Sequence, residues 1–130
     1  MRAPCSYDYA VIRVVPRVDR EEFVNVGVIV SCPSQDYLGA LIEVDEARLR
    51  ALFPGIDLQA VHDNLASIPA ICAGGAGSGP IGRLTPRERF HWLVAARSTM
   101  IQTSSVHTGR CDEPEKLLEQ LLRKMVRTTA

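Results

Sequence analysis

The sequence predicts an α+β fold in which a mainly antiparallel sheet of about four strands carries three to four helices on its faces. Three observations lead there. Runs of β-branched and aromatic residues at 7–16, 23–32 and 37–44 follow one another across short polar turns, which suits hairpin pairing rather than βαβ crossovers. A hydroxyl, a proline and an acid spell a helix start at Thr85-Pro86-Arg87-Glu88. The closing segment repeats apolar residues at helical spacing from Leu117 to Val126.

Taken in order, YDYAVIRVVP reads as a strand with Ala10, Ile12 and Val14 on one face, and Tyr7, Tyr9, Val11, Arg13 and Val15 on the other. FVNVGVIVSC follows, with Val24, Val26, Val28 and Val30 expected together and Asn25 and Gly27 opposite. Apolar on both sides, it suits a central position. YLGALIEV supplies a third strand. A first turn centred on Asp19 sets Arg13 across from Asn25, and the second turn permits Asn25 across from Glu43. The resulting Arg–Asn–Glu row reads either as a charge pair clipping the sheet near an edge or as the floor of a binding site. Gly27 and Gly39 mark a bulge or a close approach.

Asp45 caps a short helix that ends before Pro54-Gly55, and Asp57 caps a second with Leu58, Val61, Leu65 and Ile68 on its stripe. AGGAGSGPIG at 73–82 contains GxGxxG, but no strand precedes it and no helix opens inside it, so it reads as a connection. The helix from Pro86 carries Phe90, Leu93 and Val94 on one stripe, with Arg97 where that stripe should continue. Either the helix ends near Ala96 or Arg97 reaches a carboxylate or phosphate. STMIQT at 98–103 is expected as the fourth strand and SSVHTGR as a loop. Asp112 and Glu115 are read as a capping pair for the final helix, whose apolar face suits the sheet or a partner helix.

At 130 residues the chain suits one domain, spanning 1–130. Hydrophobic content of 46% with 23% charge is that of a globular chain, and no apolar run approaches a membrane span. The N-terminus has no apolar signal core, so a cytoplasmic protein is expected. Net charge is zero, yet residues 1–65 hold six Arg against ten acids and residues 66–130 nine basic against five acidic residues. That polarity suits a basic face toward an anionic partner, without the excess of a general nucleic-acid binder. Cys5, Cys32, Cys72 and Cys111 form no CxxC pair, so reduced, packed thiols are expected rather than zinc or a disulfide scaffold.

Chemistry-bearing residues gather at 88–110, with the single Trp, two of three His and three Arg. No complete motif is present. His91, His107 and Cys111 match no metal-ligand spacing, no G-x-S-x-G elbow accompanies a Ser/His pair, and Glu88 is accounted for as a capping acid. The candidate binding residues are Arg13, Asn25, Arg97, Gln102 and His107. No catalytic set, metal or cofactor is assigned.

The strings YDYAVIRVVPRVDREEFVNVGVIV, DEARLRAL, PIGRL and ERFHWLVAARSTMIQTSSVHTG, with the leucine helix after them, resemble the bacterial domain-of-unknown-function family 3037. The resemblance covers nearly the whole chain and implies a small cytoplasmic protein without an established activity. It also implies proximity to a HipA-type serine/threonine kinase, whose gene often adjoins those of the family. The leading expectation is a non-enzymatic interaction or accessory module, with a protein partner, a homodimer or an anionic ligand as its counterpart. The alternative is a small hydrolase or nucleic-acid-processing enzyme using His107 or His91 with an Arg-lined anion site.

Overall fold

The computed structural model describes residues 5–95 and 99–128. The strands are β1 (Cys5–Val14), β2 (Val24–Cys32), β3 (Tyr37–Ile42), β4 (Ile101–Thr103) and β5 (His107–Cys111). The helices are α1 (Glu46–Leu52), α2 (Leu58–Ala73), α3 (Pro86–Leu93) and α4 (Pro114–Met125), with single 3-10 turns in the connections. All strand pairs are antiparallel, in the order β3-β2-β1-β4, and β5 also pairs with β1. The α+β architecture therefore holds, with one strand beyond the expected four.

Side-chain alternation gives the sheet two apolar faces, and each is covered. Ile12, Val14, Val24, Val26 and Ile29 pack with Leu49 of α1, Val61, Leu65 and Ile68 of α2, and Phe90 and Leu93 of α3. Val11, Val28 and Val30 pack with Leu117, Leu118, Leu121 and Leu122 of α4. Because one amphipathic helix closes the second face, α4 folds onto its own sheet and is spent there.

The four valines of β2 do not share a face. Ile12 lies opposite Gly27 but Arg13 lies opposite Asn25, so Val26 is an extra residue on β2 and the register slips there. This is a β-bulge, and it inverts the strand's alternation. Val24 and Val26 serve the α1–α3 side, whereas Val28 and Val30 serve the α4 side. Strict period-two reading carries one face through the whole strand and misses the inversion.

Helix starts follow their caps. Asp45 Oδ1 accepts from Arg48 N at 3.2 Å, and Asp57 Oδ1 from Ala60 N at 3.1 Å. On α3, Glu88 N donates to Thr85 Oγ1 at 3.2 Å while Thr85 N donates to Glu88 Oε1 at 3.1 Å, completing the capping box. The expected pair at α4 is corrected: the cap position is Glu113, its side chain makes no cap hydrogen bond, and Pro114 at N1 removes one orphan donor instead.

The segment expected as a loop after β4 is also corrected, since 107–111 forms β5 along Cys5–Tyr9. Ser104 links the two edge strands. Its N donates to Val11 O at 2.8 Å, and its buried Oγ accepts from Val11 N at 2.8 Å. A side chain thus replaces a main-chain acceptor where the edge changes register. Gly109 faces Tyr7, whose hydroxyl would lie 2.5 Å from any added Cβ, so the ring covers the glycine.

Cys5 and Cys32 are disulfide-bonded, which corrects the expectation of reduced thiols for that pair. Sequence separation was uninformative because the β1–β2 hairpin returns the end of one strand to the start of the other. Cys72 is a buried thiol and Cys111 a half-buried one.

Candidate functional site

The bulge at Val26 turns Asn25 toward the α4 side of the sheet, the side occupied by Arg13. On the other flank of β1, Arg13 lies opposite Gln102 of β4. Asn25, Arg13 and Gln102 therefore form one row across three adjacent strands, at the C-terminal end of α4. Glu43 is not its continuation. Glu43 N donates to Val26 O at 2.7 Å, and its carboxylate pairs with Arg127 at 2.9 and 3.0 Å. The expected Arg–Asn–Glu row is replaced by Asn–Arg–Gln.

Asn25 Nδ2 donates to Met125 O at 3.0 Å, satisfying one carbonyl at the end of α4. A carbonyl only accepts, so this bond fixes the amide orientation and leaves Oδ1 as the acceptor facing the row. Asn25 Oδ1 and Arg13 Nε are both buried and have no hydrogen-bond partner among the described residues. A donor and an acceptor thus stand unused on directly opposed residues. Phe23, 42% exposed, sits beneath the Arg13 guanidinium with 4.0 Å from Cζ to the ring centroid. Gln102 Nε2 donates to Thr99 O at 2.9 Å, which holds its amide along the β4 edge.

His107 is exposed on β5 opposite Tyr9, with the two rings 5.4 Å apart between centroids. Tyr9 and Arg13 are four positions apart on β1, about 13 Å at the rise of a strand, so His107 stands apart from the row. Arg97 lies outside the described residues. His91 is exposed on α3, and the histidine bonded to a carboxylate is His62, whose Nε2 is 3.0 Å from Glu46 Oε1 on the helical side.

Two arginines that the sequence reading passed over are tightly bound. Arg89 is 8% exposed, and its guanidinium donates to Ile71 O and Cys72 O at 2.7 Å each and to Leu84 O at 3.1 Å. It caps α2 from another helix. Gly74, at φ 75°, follows that helix end, and a Cβ there would come within 2.8 Å of Arg89 Nη1. Arg87 spans from α3 to the sheet, meeting Asp8 Oδ2 at 2.6 Å and Ser31 Oγ at 3.0 Å. The signal available in sequence was position: both Arg lie in the first turn of α3, where a helix dipole disfavours cations unless they have partners elsewhere.

The family described as a protein of unknown function, DUF3037, matches residues 9–126. The chain belongs to that family. The DUF3037 match takes in Arg13, Asn25, Gln102 and His107 together with all of α4. Neither a curated protein nor a solved structure matches the chain. No helix among the described residues is long and apolar enough to cross a membrane.

Proposed function

We propose that the protein is a non-enzymatic, cytoplasmic accessory module of bacteria that engages a protein partner through the Asn25–Arg13–Gln102 row. The observation that supports this reading is the unused pair at its centre, Arg13 Nε and Asn25 Oδ1. Each unsatisfied buried polar group costs about 1–3 kcal/mol; both atoms lie beneath the surface, so a partner recovers that energy by drawing the Arg13 side chain off Phe23 as it docks. A peptide unit offers one acceptor and one donor and matches both atoms. An anion would answer Arg13 but meet the lone pairs of Asn25. Phe23 adds an exposed ring beside the polar pair, the combination from which interface hot spots are built.

The partner we favour is a HipA-type kinase, on the gene neighbourhood that family membership implies. Co-expression of the two proteins followed by native mass spectrometry tests it, with a 1:1 complex expected. Phe23→Ala and Arg13→Lys should each weaken the complex at least about tenfold, or ~1.4 kcal/mol. Absence of a complex, or variants that bind as tightly as the parent, would sink the proposal.

A further inference from the structure

At the opposite end of β1 from the Arg13 row, three cysteines meet. Cys5 is bonded to Cys32 and is the cross-strand partner of Cys111, whose Sγ lies 4.0 Å from Cys5 Sγ. Their accessibilities differ. Cys5 is 6% exposed and Cys32 is fully buried, so neither presents its sulfur to a dissolved thiol. Cys111 is half-buried and lines a cleft of about 380 Å³ with Tyr7, Arg110, Lys116, Leu117 and Gln120. Gln35 Nε2 donates to Cys5 Sγ at 3.2 Å, which places an N–H where a Cys5 thiolate would form.

We propose that Cys111, Cys5 and Cys32 form a thiol–disulfide relay, in which Cys111 is the exchange site for a low-molecular-weight thiol of the glutathione type. In the internal step the Cys111 thiolate, its proton given to solvent, attacks Cys5 Sγ. The Cys5–Cys111 bond forms, the Cys5–Cys32 bond breaks, and Cys32 leaves as a thiolate that takes up a proton. In the external step a dissolved thiolate attacks Cys111 Sγ. A mixed disulfide forms at Cys111, the Cys5–Cys111 bond breaks, and Cys5 leaves as a thiolate accepting the Gln35 N–H. A second dissolved thiolate releases Cys111 by attacking the outer sulfur of the mixed disulfide, which yields the small-molecule disulfide. The net result is reduction of the Cys5–Cys32 bond, with two electrons supplied by the dissolved thiol. Run backward, the same steps restore the bond. Cys72 stands outside the relay: it lies in the last turn of α2, within the core cluster shared by α1, α2 and α3, and burial pushes its thiol up to about 12, which keeps it protonated.

The relay is tested by equilibrating the full chain with reduced and oxidised glutathione at several ratios, quenching with acid, and mapping disulfides by mass spectrometry. The expected species are Cys5–Cys32, Cys5–Cys111 and glutathione on Cys111, with none on Cys5 or Cys32. In Cys111→Ser, glutathione should reduce the Cys5–Cys32 bond at least about tenfold more slowly than in the parent. Alkylation of Cys111 in the folded parent protein should slow it similarly, which separates loss of the thiol from any misfolding of the variant. Glutathione attached directly to Cys5 or Cys32, unchanged reduction after loss or alkylation of Cys111, or no disulfide at Cys5 under any ratio would overturn the relay.

Discussion

Arg89 shows how much a single side chain can organise. Three carbonyls at the end of α2 and before α3 converge on its guanidinium, which is almost wholly withdrawn from solvent. A charge in that position survives because every carbonyl dipole around it is directed at it. Arg89→Met keeps much of the volume but strands those acceptors, and we expect a loss of about 3 kcal/mol, read as a lowered urea midpoint at unchanged slope. An equal midpoint would show that water replaces the guanidinium without penalty. Gly27 is constrained differently, by backbone rather than charge: a Cβ there would sit 2.6 Å from Leu41 O, which cannot rotate away. The bulge and the missing side chain therefore belong together.

Among the elements, α4 decides whether the second face of the sheet exists as a core. Leu121 is 6% exposed within the cluster that contains Val11, Val28 and Val30. Leu121→Ala should cost about 2–5 kcal/mol by the usual large-to-small penalty, measured by chemical denaturation. It should also loosen the C-terminal end of α4, where Met125 O holds Asn25 and Val126 O accepts from Arg48 at 3.3 Å. A cost below 1 kcal/mol would mean that the helix repacks freely and does not set the geometry of the row. The sequence made this helix legible because its apolar stripe has the helical period over three turns. It concealed β5 because HTGRC is polar and short, and its pairing rests on Tyr7 covering Gly109 and on Ser104 joining the edge, both properties of the neighbour rather than of the segment.

For the whole molecule, two carboxylates contribute to the acid response in the same direction. Hydrogen bonding from Arg127 holds Glu43 below the ordinary value of 4.5, and the Thr85 backbone N–H does the same for Glu88. A carboxylate with a folded pKa below its unfolded value stabilises the fold above the unfolded pKa, and that contribution is lost as pH falls through the folded pKa. Thermal melting should therefore be flat from pH 7 to about 5 and fall below about 4.5. The double variant Glu43→Gln, Glu88→Gln should melt with a shallower acid slope. Identical slopes would place the acid sensitivity elsewhere.

Strand runs, capped helices and the leucine face are written in the sequence because each is a local period or a residue with a local partner. The antiparallel hairpins, both Asp caps, the Thr85 box and the pairing of Arg13 with Asn25 were legible on those terms. The bulge at Val26 was not, although it alone divides the β2 valines between two cores and turns Asn25 to the α4 side. A register slip depends on which neighbour fits each step, and that is settled only when three strands and two helix layers compete for the same residues. The meeting of Cys5, Cys32 and Cys111 has the same origin: separations along the chain carry no proximity until the sheet folds its ends together.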